Sequence, residues 1–88
     1  MNLEELRAEL DKVDKILEEN FIKRMEIVAK VADYKAANNL PTLDSSREQV
    51  VLDKHGESAG PIYDKYMRDY FTQIMRISRE YQNARREK

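Results

Sequence analysis

The stretch NLEELRAELDKVDKILEENFIKRMEIVAKVADYKAAN, residues 2–38, decides the fold of this 88-residue chain. It contains neither Pro nor Gly, and residues with a strong helix preference (Leu, Glu, Ala, Lys and Arg) dominate it. Apolar residues recur at the spacing of a helix face that packs on other helices: Leu3, Leu6, Leu10, Val13 and Leu17. The sequence therefore predicts one uninterrupted helix from about Asn2 to about Asn38.

The length of this predicted helix limits how the chain can fold. At a rise of about 1.5 Å per residue, the helix spans roughly 55 Å. A compact monomer of this size has a radius of gyration of only about 12 Å. The helix should therefore extend beyond any globule that its own chain forms, and its exposed Leu/Val face predicts a second copy of the chain, that is, a homodimer.

Two cations interrupt the apolar face beyond Leu17. The same spacing places Arg24 and Lys35 on or beside this face, about 16 Å apart at Cα. Cations inside a protein are costly unless they are paired or bind an anion. Arg7 lies about 25 Å before Arg24 and is rotated by roughly 100°. It cannot easily help Arg24 within one chain, but it could serve the equivalent pocket of an antiparallel partner.

Composition excludes several classes of protein. Charged residues make up 38% of the chain and nearly balance, with a net charge of −1, which argues against a nucleic-acid or membrane-surface binder. Cysteine is absent, so no disulfide, thiol nucleophile or Cys-based zinc site is expected. No secretory leader or membrane-spanning run is recognisable, which favours a cytoplasmic protein. The sequence lacks strand-type alternation and predicts a single all-α domain over residues 1–88.

Capping signals predict the boundary between the first two helices. The first helix should end near Asn38 and Asn39, because Pro41 follows closely. Ser45, with Glu48 three residues later, forms a capping-box pattern. A second helix should therefore begin at Ser45.

Glycine and proline mark the later boundaries. The second helix is expected to run to Lys54 or His55 and to stop at Gly56. After a short connector, Pro61 suits the first turn of a third helix. That helix should run from about Pro61 to Ala84.

Residues suited to nucleophilic or metal chemistry are scarce. The only histidine, His55, lies at a predicted helix end, where a favourable interaction with the helix dipole explains it better than catalysis does. No pair of His or carboxylate residues recurs on a buried face, so no metal site is predicted. What remains is a polar set on or beside the apolar faces of three predicted helices: Arg7, Arg24, Lys35, Arg47, Glu48, Ser78 and Gln82.

Two cations of this set, Arg24 and Lys35, also have simple structural explanations. Arg24 could pair with a carboxylate at the edge of the core, either Glu19 or Glu26. Lys35 could extend off the end of its helix into solvent. On the pattern alone, a solvated or paired surface position therefore competes with an anion-binding pocket.

The other members of the set are equally open. Ser78 and Gln82, at i and i+4, lie on the face of the third helix that carries Ile74, so a hydroxyl and an amide point toward the expected core. They could form a polar patch at a helix–helix seam. Glu48 could be only the capping-box partner of Ser45.

Taken together, these pieces resemble the all-helical (AroQ-type) chorismate mutases, a family of small three-helix chains that form an intertwined homodimer. The resemblance covers essentially the whole chain, with the motifs in order and with matching spacing through the first two helices. The matching pieces are Leu6-Arg7 with Asp11 and Asp14, Lys23-Arg24, Lys35, Asp44-x-x-Arg47-Glu48 and Ser78-x-x-x-Gln82.

The resemblance implies an active site without covalent chemistry, a cofactor or a metal. Chorismate rearranges to prephenate by a pericyclic shift, so the protein must bind a dianion in a compact conformer and stabilise the charge that develops. Arg24 of one chain and Arg7 of the other would bind the two carboxylates, because arginine recognises carboxylates in a bidentate manner. Lys35 and Gln82 would donate hydrogen bonds to the ether oxygen.

The resemblance also implies roles for the remaining residues. Glu48 would accept a hydrogen bond from the ring hydroxyl, and Arg47 would help to hold that end of the substrate. Asp44 would be placed there by the start of the second helix, and Ser78 would be an auxiliary contact. The apolar walls of the pocket would be Val28, Val31 and Ile74.

Two other functions remain open on the sequence alone. An isochorismate-pyruvate lyase of the same fold has a very similar substrate and cationic pocket, although Arg47 and Glu48 favour the mutase. A non-catalytic helical dimer, such as an adaptor or regulatory partner, would tolerate neutral replacement of Arg24 and Lys35. The short, loop-poor sequence also suits an engineered or simplified member of the family.

Overall fold

Three α-helices make up the described part of the chain, residues 1–87 of a computed structural model. They are α1 (Leu3–Ala37), α2 (Ser45–Ala59) and α3 (Asp64–Arg86). No strand occurs in residues 1–87, and the predicted all-α class is confirmed. None of the helices in this part combines the length and the apolar character that crossing a membrane requires.

The predicted first helix is confirmed at both ends. The Asn2 side chain caps the start of α1 and accepts a hydrogen bond from the Glu5 backbone N–H over 2.9 Å. At the other end Asn39 takes a left-handed conformation with φ of 55°. This turn brings the Leu40 N–H to the carbonyl of Lys35 at 2.8 Å, which satisfies one of the last free carbonyls of the helix.

The start of α2 differs from the predicted capping box. Asp44 caps the helix, because its side chain accepts a hydrogen bond from the Arg47 backbone N–H over 3.0 Å. Ser45 is already the first helical residue, and Glu48 turns away to form an ion pair with Arg79 on α3. The capping-box prediction is wrong because Asp44, one position earlier, supplies the capping oxygen.

The end of α2 also differs from its prediction. The helix passes through Gly56 and ends at Ala59, where Gly60 follows with φ of 84°. Gly56 is buried, and a Cβ atom at this position would overlap the side chain of Arg68 on α3. The predicted stop at Gly56 is wrong because this glycine permits close packing of two helices, whereas Gly60 takes the left-handed turn.

A turn delays the start of α3 from the predicted Pro61 to Asp64. The backbone N–H groups of Tyr63 and Asp64 both donate to the carbonyl of Gly60, over 3.1 and 2.8 Å. The other end of α3 lies at Arg86, beyond the predicted end. Pro61 therefore lies in the turn that precedes α3 and not in the first turn of the helix.

α3 packs on α2 through a ring stack and an ion-pair cluster. His55 lies inside α2, not at its predicted end, and stacks on Phe71 with ring centroids 4.2 Å apart. Arg68 binds both Asp53 and Asp64 at 2.7 Å. The hydrogen bonds that Arg68 donates to Asp64 and Asp53 raise the pKa of the Arg68 guanidinium, and the bond to Asp53 lowers the pKa of that carboxyl group.

α3 also packs on the second half of α1. Arg85 donates to both carboxylate oxygens of Asp33, over 2.7 and 2.8 Å, and this bond lowers the pKa of Asp33. Apolar burial at this contact is small, because the described chain buries few apolar side chains: Val28, Ala32 and Met75.

The first half of α1 extends away from α2 and α3. The described chain measures 54 × 28 × 14 Å and has a radius of gyration of 16.0 Å, against about 12 Å for a compact chain of this length. Leu3 and Leu10 are 58% and 59% exposed, and the rest of the apolar face up to Leu17 is exposed as well. The prediction that this helix projects from the globule with a bare apolar face is therefore confirmed.

Gly56→Ala is expected to destabilise the protein even though alanine has a better helix propensity by about 1 kcal/mol. The new Cβ would displace Arg68 from Asp53 and Asp64, and overpacking of this kind costs about 1–3 kcal/mol. Thermal unfolding at fixed protein concentration should therefore show a lower Tm. In an Arg68→Ala background the same change should be neutral or stabilising, and an equal loss in both backgrounds would contradict this explanation.

Asp44→Ala is expected to cost about 1 kcal/mol of unfolding free energy, because it removes the side-chain cap of α2. Ser45→Ala is the matched control and should change stability by no more than about 0.5 kcal/mol. Denaturant unfolding of both variants at one protein concentration measures the difference. A larger cost at Ser45 than at Asp44 would restore the capping-box interpretation.

Candidate active site

A cavity of about 200 Å³ lies between the three helices and the loop that joins α1 to α2. Its lining contains seven of the eight predicted site residues: Arg24, Lys35, Asp44, Arg47, Glu48, Ser78 and Gln82. Residues up to 58 positions apart in the sequence, such as Arg24 and Gln82, thus line the same cavity. The geometry assembles a polar site that local sequence patterns could only suggest.

Arg24 reaches the cavity from the middle of α1. Its Nη1 donates to the Oγ of Ser78 at 2.5 Å, and that hydroxyl donates in turn to the Ile74 carbonyl at 2.9 Å. Within residues 1–87, neither Glu19 nor Glu26 forms an ion pair with Arg24. Burial lowers the pKa of the Arg24 guanidinium, which nevertheless stays charged. The side chain is therefore a half-buried cation without a carboxylate partner in the described chain.

Lys35 enters the cavity from the last turn of α1. It is half-buried, and its Nζ donates to the backbone carbonyl of Thr42 at 2.8 Å. It does not extend into solvent, so the simpler explanation for this lysine is wrong. The Thr42 hydroxyl accepts a hydrogen bond from Arg86 Nη1 at 3.1 Å. Thr42 thus links the loop to Lys35 on α1 and to Arg86 on α3, and its carbonyl fixes the position of the Lys35 ammonium.

Ser78 and Gln82 come from α3 and are the most buried polar residues of the site, at 5% and 6% exposure. Their predicted inward orientation is confirmed. The Gln82 Oε1 is buried and has no hydrogen-bond partner among the described residues. An unpartnered buried polar atom costs about 1–3 kcal/mol. Gln82 therefore presents an amide oxygen whose acceptor capacity the described chain leaves unused.

Glu48 meets a residue that the sequence reasoning missed. Both of its carboxylate oxygens lie 2.5 Å from Arg79 Nη1, across the gap between α2 and α3. Both side chains line the cavity. The signal for Arg79 was its position four residues after the buried Met75, which places it on the inward face of α3.

The apolar walls agree in part with their prediction. Val28 and Val31 line the cavity as expected. Ile74 does not, and its prediction is wrong, because it faces an adjoining groove with Phe21 and Phe71. The step from Ile74 to Met75 is one residue, or about 100° around the helix, and Met75 takes the wall position instead.

The structure does not bring Arg7 to the cavity of its own chain. This residue lies on the exposed half of α1, about 25 Å along the helix from Arg24. Next to it is an apolar groove formed by Leu3, Leu6, Glu9, Leu10 and Val13. Arg7 is therefore separated from the nearest of the other seven predicted residues along α1 by about half the length of this helix.

The charges around the cavity favour a small anion. The cations are Arg24, Lys35, Arg47 and Arg79, and the carboxylates are Asp44 and Glu48, so the cations exceed the carboxylates by two. The lining contains neither Cys nor His. Such a site can bind and orient a dianion and can stabilise negative charge that develops in it, without a nucleophile.

Comparison with known proteins places the chain in a family. Searches of the curated proteins and of the solved structures gave no significant match. The family model described as chorismate mutase type II matches residues 6–83. This range contains Arg7 and every residue that lines the cavity. Because the match covers most of the 88 residues, the chain belongs to the type II chorismate mutase family.

Proposed function

We propose that the cavity between the three helices is the active site in which this chain rearranges chorismate to prephenate. Family membership gives the reaction, that of an isomerase of aromatic amino-acid biosynthesis. The observation that carries the assignment of the site is the excess of two positive charges around the cavity. Chorismate is a dianion, and a site with this charge attracts and holds it.

The reaction needs positioning rather than acid–base chemistry. In the pericyclic shift the ether C–O bond breaks while a new C–C bond forms within the same molecule, and no proton is transferred. Holding the substrate with these carbons in contact lowers the entropic part of the barrier. Donors aimed at the ether oxygen stabilise the negative charge that builds there as the bond breaks.

Arg24 is assigned to one substrate carboxylate. Its guanidinium is half-buried, has a hydroxyl but no carboxylate as a partner within residues 1–87, and faces the cavity. A planar guanidinium offers two parallel N–H donors to a carboxylate. Ser78 holds Arg24 in place and is an auxiliary contact of the same carboxylate.

Lys35 and Gln82 are assigned to the ether oxygen. The ammonium of Lys35 has three N–H donors, of which the Thr42 carbonyl uses one. Gln82 faces the same cavity with a buried amide. The charge-assisted bond from Lys35 is the stronger of the two, so Lys35 should carry more of the electrostatic stabilisation.

Glu48, Arg47 and Asp44 are assigned to the end of the site that holds the ring hydroxyl. Glu48 accepts the hydroxyl proton in a hydrogen bond, and Arg47 helps to hold the substrate there. Asp44 has two tasks, because it lines the cavity and also caps α2. The cap fixes the N-terminal turn of α2, which carries the other two side chains.

The second substrate carboxylate is assigned to Arg7 of the partner subunit in a homodimer. Two observations support a dimer: the few buried apolar side chains of the described chain, and the exposed apolar face on the first half of α1. If two α1 helices pack antiparallel, the first half of one lies beside the second half of the other. Arg7, which is too far from the cavity of its own chain, would then reach the cavity of the partner. Cytoplasmic localisation stays a prediction from the sequence.

Lys35→Ala should lower kcat/KM for prephenate formation by about 10²–10³-fold, because the donor at the developing charge is lost. Lys30→Ala removes an exposed lysine from the same helix and is the matched control, with unchanged activity expected. Chorismate loss followed by absorbance, with prephenate identified by chromatography, measures both. Wild-type turnover in Lys35→Ala would remove this residue from the mechanism, and no prephenate from the wild type would refute the function.

Mixing Arg7→Ala with Arg24→Ala subunits should restore activity if each site takes one arginine from each chain. Each variant alone should be inactive, whereas a mixed dimer contains one intact site, so random exchange in an equal mixture should recover roughly a quarter of the wild-type activity. Each variant mixed with itself is the control. If subunit exchange is demonstrated and no activity returns, the shared site is excluded.

A further inference from the structure

The ion pair between Glu48 and Arg79 is part of the cavity wall, yet Arg79 has been given no task of its own beyond its share of the positive charge. Its Nη1 lies 2.5 Å from both oxygens of Glu48. The two side chains are 25% and 30% exposed, so both are largely withdrawn from solvent. Their pairing spans 31 residues of sequence and joins α2 to α3 at the end of the site that holds the ring hydroxyl.

We propose that Arg79 is a positioning residue of the mutase reaction, which orients the Glu48 carboxylate and offsets its negative charge so that a dianionic substrate can bind beside it. This inference rests on the proposed function of the cavity. Arg79 does not touch the reacting atoms and acts through Glu48.

The reason for such a residue is electrostatic. A carboxylate that accepts a hydrogen bond from the substrate hydroxyl also repels the two carboxylates of the same substrate. In a partly buried site this repulsion is weakly screened by solvent and salt. A guanidinium bound to Glu48 offsets the repulsion without removing the acceptor.

Glu48 has the capacity for both partners at once. An ionised carboxylate accepts about four hydrogen bonds through its two oxygens, and Arg79 Nη1 is its one charged partner within residues 1–87. Binding of the hydroxyl therefore does not require the ion pair to break. The arginine instead fixes the rotamer of Glu48 before the substrate arrives, which reduces the ordering that binding requires.

A purely structural tie between α2 and α3 is the competing explanation, and the chain contains two matched controls for it. Arg68 joins the same two helices through Asp53 at 2.7 Å but does not line the cavity. Arg76 lies one turn before Arg79 on α3, pairs with Glu80 at 2.8 Å, and also lies outside the cavity. Replacing Arg68 tests the loss of an ion pair between α2 and α3, and replacing Arg76 tests the loss of an arginine from α3. Both effects can thus be separated from loss of the charge beside Glu48.

The first experiment compares steady-state kinetics of Arg79→Met, Arg68→Met and Arg76→Met with those of the wild-type protein. Arg79→Met should raise KM for chorismate by about tenfold or more, or about 1.4 kcal/mol, with kcat changed far less, because the substrate and the transition state carry the same net charge. Arg68→Met should lower Tm without this change in KM. Arg76→Met should resemble the wild type.

The second experiment places the same change in a Glu48→Gln background. Glutamine keeps an acceptor for the ring hydroxyl but carries no charge, so Arg79 has nothing to offset there. Glu48→Gln/Arg79→Met should therefore have a KM within about threefold of Glu48→Gln alone, the non-additivity expected of two coupled residues. Arg79→Lys, which keeps the charge, should recover part of the loss seen in Arg79→Met.

The results separate failure of this inference from failure of the proposed function. A wild-type protein that makes no prephenate refutes the function before any Arg79 variant is needed. An active wild type with an unchanged KM in Arg79→Met, or with the same rise in KM in the Glu48→Gln background, overturns the inference alone. If Arg79→Met does not fold, Arg79→Gln removes the charge with less change in polarity, and the same two outcomes decide.

Discussion

Arg24 and Lys35 lie half-buried on the inner face of α1, and neither meets a carboxylate within residues 1–87. Burying unpaired cations raises the free energy of the folded chain. The fold limits this cost with neutral acceptors: the Ser78 hydroxyl for Arg24 and the Thr42 carbonyl for Lys35. These acceptors hold the cations in place without neutralising them, which keeps their charge for an anionic substrate.

α3 supplies the side chains that complete the cavity around these two cations. It packs on α1 and α2 and presents Ser78 to Arg24, Arg79 to Glu48 and Gln82 to the cavity. At its end Arg85 binds α1, and Arg86 binds the loop whose carbonyl holds Lys35. One helix therefore sets the distance between the side of the cavity that carries Arg24 and Lys35 and the side that carries Glu48. Pericyclic catalysis by positioning depends on such fixed distances more than on any single reactive group.

The described chain stabilises this arrangement with few buried apolar side chains. Small domains expose a large share of their surface and gain correspondingly little from burial. The bare apolar face on the first half of α1 offers the additional burial, and the proposed dimer would bring Arg7 from this half of the helix to the partner cavity. In the proposed dimer, stability and activity have the same origin, so dilution that separates the subunits would weaken both.

Much of this could be predicted from the sequence. The long first helix, the all-α class and the inward polar residues of the second and third helices follow from composition and helical spacing, which act locally along the chain. The family was indicated by the resemblance of the ordered motifs to those of the all-helical chorismate mutases. The helix boundaries were predicted less well, since Asp44 rather than Ser45 caps α2 and Gly56 does not end it. Both errors concern residue types that suit more than one role: Asp and Ser can each cap a helix, and Gly can end a helix or allow close packing. The surrounding atoms decide which role applies.

The sequence by itself determined where helices form and which cations break their apolar faces, because helix propensity and a period of about 3.6 residues depend only on near neighbours. The tertiary structure alone decided that Gly56 makes room for Arg68, that Met75 replaces Ile74 in the wall, and that Arg79 pairs with Glu48. Each of these depends on how α3 sits against another helix. A one-residue rotation of about 100° would change all three, and no local pattern fixes that rotation.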